Sequence, residues 1–66
     1  MIEVCEGLGG WTIKVRANGH MRSLECVQYA YKDKHGITWF DFHRAMRDAE
    51  KLYKVLLKQR PKRMRR

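Results

Sequence analysis

The chain has 66 residues, with 15 Lys and Arg against 7 Asp and Glu, and a formal charge of +8. That length holds one small domain and excludes an enzyme with separate cofactor and substrate lobes. A chain of about 60 residues buries only about 60% of its unfolded surface, so the core is small, yet the hydrophobic share of 44% is too high for full disorder.

Residues 2–6 alternate in polarity and read as a short strand. Gly7-Leu8-Gly9-Gly10 reads as a glycine-rich turn. It is not a phosphate loop, which requires Gly-Lys-Ser/Thr after the glycines. Residues 11–17 have the clearest period of two: Trp11, Ile13, Val15 and Ala17 face one way, and Thr12, Lys14 and Arg16 the other. Asn18-Gly19 follows at once, and both residues tolerate the positive φ of a type I′ turn. A third strand therefore returns from His20. A two-residue loop pairs Val15 with Arg22, Ile13 with Leu24, Arg16 with Met21 and Lys14 with Ser23. Arg22 then falls on the core face, which requires either a bulge near residues 21–23 or an edge position.

Residues 24–36 fit two patterns. Leu24, Val27 and Tyr31 have helical spacing, whereas Val27, Tyr29 and Tyr31 also alternate. β-Branched and aromatic residues tip the reading to an extended strand reaching about Tyr31, then a turn through residues 32–36. From Thr38 a capping-box pattern, with Thr38 as cap and Asp41 as its partner, and an Ile37–Phe42 staple predict a helix over residues 39–59. Its apolar stripe is Phe42, Ala45, Met46, Ala49, Leu52, Tyr53 and Leu56. The expected fold is α+β: an antiparallel sheet of about three strands packed on one long C-terminal helix. Trp11, Ile13, Val15 and Val4 supply the sheet side of the core, and Trp39, Val55 and Leu57 remain as spare apolar helix surface for a homodimer.

Charge divides the chain into a body, residues 1–59, and a basic tail, residues 60–66. Residues 58–66 hold six cations and no acid, leaving residues 1–57 with nine basic and seven acidic groups, a net of +2. Pro61 ends the helix near Gln59 or Arg60, and like charges beyond it predict a flexible arm. Such an arm binds a polyanion by releasing its condensed counterions, without fixed geometry. The candidate nucleic-acid contacts are Lys14, Arg16 and Arg22 on the strands and Arg44, Arg47, Lys51, Lys54 and Lys58 on the helix, with Arg60, Lys62, Arg63, Arg65 and Arg66 in the arm.

Cys5, Cys26, His20, His35 and His43 lack zinc-ligand spacing. The cysteines read as free thiols, and His20 and His35 as solvated turn residues. No set of residues meets the geometric demands of a catalytic site. The expectation is a protein that is not an enzyme and needs neither metal nor cofactor. There is no apolar run long enough to span a membrane, and acids stand where a signal peptide carries Lys or Arg, so a cytoplasmic location is expected.

The residues 10–16, then Asn18-Gly19, then Ala45-Met46-Arg47-Asp48-Ala49-Glu50, resemble the small three-stranded-sheet-plus-helix DNA-binding domains at the N-termini of phage and transposon integrases. About two thirds of the chain is covered. The resemblance implies that the sheet enters the major groove with Lys14, Arg16 and Arg22 as contacts. Size and charge also resemble the small accessory proteins of phages and mobile elements, and the expected role is such an accessory protein. DNA stands ahead of RNA as partner. The competing reading is a protein-interaction module that inhibits or redirects a host enzyme, with Trp39, Tyr29 and Tyr31 as exposed anchors.

Overall fold

The computed structural model describes residues 1–61. Strands β1 (Ile2–Gly7), β2 (Gly10–Ala17) and β3 (His20–Glu25) form an antiparallel sheet in the order β1-β2-β3. Asn18 and Gly19 both take positive φ, 55° and 79°, as a type I′ turn requires. The β2–β3 register follows from that turn: Val15 opposes Arg22, Ile13 opposes Leu24 and Lys14 opposes Ser23. No bulge interrupts the pairing. Arg22 is accommodated because β3 is an edge strand, where its long side chain reaches solvent.

The strand expected to continue to Tyr31 instead stops at Glu25. A 3-10 turn, Cys26–Tyr29, bends the chain back toward the helix. The Gln28 side-chain oxygen accepts the Glu25 backbone N–H at 2.7 Å, which closes the turn. After it, β4 (Ala30–Lys32) and β5 (Thr38–Phe40) pair as a second, two-stranded sheet that periodicity alone did not predict. Because Thr38 is spent in β5, it does not cap the helix. Asp41 is the N-cap, and its Oδ1 accepts the Arg44 N–H at 2.9 Å. The helix α1 (Phe42–Lys58) thus starts three residues later than expected, and the Ile37–Phe42 staple is lost because Phe42 is its first residue. Trp39 belongs to β5 and not to the helix surface.

Helix α1 packs chiefly on the central strand β2. Ala45 and Ala49 are fully buried against Ile13 and Val15, small side chains that let helix and sheet approach closely, and Leu56 closes the far end. Met46, Leu52 and Tyr53 pack around this centre together with Ile2, Trp11, Ala17 and Leu24. Val4 faces the core side opposite Ile13 but stays 43% exposed, since the helix leaves that edge uncovered. Tyr29 is the other departure. Read as an exposed anchor, it is only 6% exposed, its ring stacked near Trp11 and its hydroxyl donating to Asp48 Oδ2 at 3.0 Å. Burial, then that hydrogen bond, push the Tyr29 phenol above its ordinary pKa.

The helix C-terminus is capped across the fold. Asn18 Nδ2 lies 3.2, 2.8 and 3.2 Å from the carbonyl oxygens of Leu56, Leu57 and Gln59. One amide has two N–H bonds, so the three acceptors share them. Beside it, His20 Nε2 sits 2.9 Å from the Arg60 carbonyl. A carbonyl only accepts, so the proton is on Nε2, and His20 is a half-buried fastener rather than a solvated turn residue. Asn18 therefore does two jobs. Asn18→Gly keeps the turn and removes the cap, which should cost about 1–2 kcal/mol, and Asn18→Ala should cost about 1 kcal/mol more through its positive φ. Thermal melting of the two variants separates these contributions, at about 4–8 °C per kcal/mol for a domain this small.

Candidate nucleic-acid interface

A helix advances about 100° and 1.5 Å per residue. On that wheel Arg44, Arg47, Lys51, Lys54 and Lys58 fall within roughly 80° of one another, and almost opposite Ala45, Ala49 and Leu56. All five are exposed. They form a stripe about 21 Å long, one cation every 5 Å or so, along the side of α1 turned away from the sheet. Asp48 and Glu50 flank the stripe without entering it, and Asp48 is already engaged by Tyr29. Arg44 is held in place: its guanidinium carbon lies 5.3 Å from the centroid of the Tyr29 ring.

Lys14 and Arg16 lie elsewhere. In β2 they alternate with the buried Ile13 and Val15, so they occupy the outer face of the sheet, on the opposite side of the molecule from the helix stripe. Arg22 opposes Val15 and so lies on the other face from both. The structure therefore does not bring the three strand cations together. Charge on the outer face is also balanced. Glu3 stands directly across from Lys14, and Glu25 accepts a hydrogen bond from Thr12 Oγ1 at 3.1 Å. A depression of about 450 Å³ opens there beside the glycine turn, lined by Cys5, Thr12, Lys14, Ser23 and others. Glu6 and Glu25 outnumber Lys14 in its lining, so it has the wrong field for a phosphate. Cys5 is half-buried and Cys26 buried, both as free thiols.

Arg60 follows the helix cap, exposed, with its carbonyl held by His20. The tail cations Lys62, Arg63, Arg65 and Arg66 lie outside the described residues.

A second surface is built by the β4–β5 hairpin. Tyr31 and Trp39 are directly opposed and share one face, 52% and 50% exposed. Asp33 organises the hairpin: Oδ2 accepts the Trp39 indole N–H at 2.7 Å, and Oδ1 accepts the backbone N–H groups of His35 and Ile37 at 2.8 and 3.0 Å. The indole hydrogen bond, then the Ile37 amide, hold the Asp33 carboxyl below its ordinary pKa. The cross-strand pairing that joins Tyr31 to Trp39 was invisible to the sequence reading, which ran Tyr31 into the third strand and Trp39 into the helix.

Among the described residues no helix is long and apolar enough to cross a membrane. No protein-family model, curated protein or solved structure matches the chain.

Proposed function

We propose that the chain is a non-enzymatic nucleic-acid-binding protein, DNA before RNA, that grips the phosphate backbone along the outer face of α1. One observation carries the reading: five exposed cations occupy a single helix face, with no acid among them, opposite the face that makes the core. Summed cations on one face attract a polyanion over a Debye length and need no precise register. The +8 charge of the whole chain reinforces that field. The outer sheet face, with its acids interleaved, contributes less.

The test is a titration of labelled duplex DNA at several salt concentrations. Five phosphate contacts at about −0.9 each predict a log–log salt slope of at least about −4. Absence of binding at low salt by folded protein overturns the reading.

A further inference from the structure

We propose that the Tyr31–Trp39 pair is a stacking site for unpaired bases, so that the preferred ligand is a single-stranded stretch of nucleic acid; this rests on the phosphate-gripping reading of α1. Two observations carry it. The two rings project from adjacent strands on one face of the hairpin and are each about half exposed. The platform is also pre-ordered. Asp33 pins the indole edge through Nε1, which fixes the ring orientation while its exposed surface remains open to a ligand, and the same carboxylate fixes the turn. A ligand that stacks there pays little ordering entropy.

Charge chooses between a nucleobase and an apolar protein surface. The hairpin carries Lys32, Lys34 and His35, all exposed, of which Lys32 alternates with Tyr31 and so lies on the face away from the rings; its one acid, Asp33, has both oxygens occupied by N–H donors. From Trp39 the chain reaches Arg44, the first cation of the helix stripe, in five residues, at most about 18 Å away. A stacking platform leading into a cationic track is the arrangement that holds single strands: the track takes the phosphates and the rings take bases of any sequence. Duplex bases are already stacked on one another and cannot use the platform.

The experiment compares two fluorescent probes, a short oligothymidylate and a duplex of the same length, against wild type, Trp39→Ala, Trp39→Phe and Tyr31→Ala. Trp39→Ala should weaken the oligothymidylate about tenfold and the duplex less than twofold, with Trp39→Phe retaining most of the affinity. Tyr31→Ala breaks no hydrogen bond to Asp33 and carries the same test if Trp39→Ala disturbs the hairpin. In a Trp11→Phe background, quenching of the remaining indole by the oligothymidylate reports the stack directly. Equal loss on both probes, or no loss on either, overturns the stacking proposal and leaves the helix grip standing. If wild type binds neither probe, the helix reading falls, and this proposal with it.

Discussion

Gly10→Ala should leave the protein barely stable at room temperature. Gly10 sits at φ 117°, a conformation that side chains with a Cβ rarely adopt. A Cβ built there would lie 2.5 Å from the Sγ of Cys26, which is itself buried and cannot swing away. The glycine turn and the 3-10 turn meet at this point, and the Cys26 thiol reaches across to the Gly9 carbonyl at 3.6 Å. Strain at the positive φ costs about 1–3 kcal/mol, and forcing a methyl into packed space about as much again. A single core in a chain this short supplies roughly 3–5 kcal/mol in all, so the two costs together consume most of it. Circular dichroism and thermal melting measure the loss. The double variant Gly10→Ala/Cys26→Ala removes the sulfur but not the φ strain and should recover part of the stability. A Gly10→Ala melt within a few degrees of wild type would show that the two turns are not in close contact.

That contact also explains where sequence reasoning stopped. The β2–β3 hairpin was legible to the residue, because a two-residue Asn-Gly loop permits one register and the alternation of Trp11, Ile13, Val15 and Ala17 fixes the buried face. The apolar stripe of α1 was legible for the same kind of reason: a fixed period, read over about four turns. Residues 26–32 were not. Their alternation is genuine, but the chain bends at Cys26 because of partners distant in sequence, Gly9 and Gly10, together with the Gln28 side chain that closes the turn. Once the bend is made, Tyr29 turns into the core and Tyr31 pairs with Trp39. Asp41 becomes the helix cap because β5 consumes Thr38. Long-range pairing of this kind leaves no local signature. The cations divide in the same way: those on α1 share a face by period alone, and alternation puts Lys14 and Arg16 on the uncovered side of the sheet, whereas the acids that stand beside them there, Glu3 and Glu25, came only with the strand register.

From that separation comes the sharpest expectation for binding. The triple variant Arg47→Gln, Lys51→Gln, Lys54→Gln should weaken duplex DNA binding on the order of a hundredfold near 0.1 M salt and flatten the log–log salt slope by about 2.7, the share of three phosphate contacts. All three residues are exposed and glutamine is a good helix former, so the melting temperature should scarcely move. Arg44 is left in place because its guanidinium lies over Tyr29, and removing it would disturb the core as well as the field. The matched control is Lys14→Gln with Arg16→Gln on the outer sheet face. Those cations share their surface with Glu3 and Glu25, so their loss should cost less than about threefold. The two pairs of measurements, affinity and slope, discriminate between surfaces on opposite sides of one small body. Should the strand variant lose the hundredfold and the helix variant almost nothing, the phosphates lie along the sheet, the groove-facing role implied by the integrase resemblance gains the support, and the helix stripe is only a solvated face.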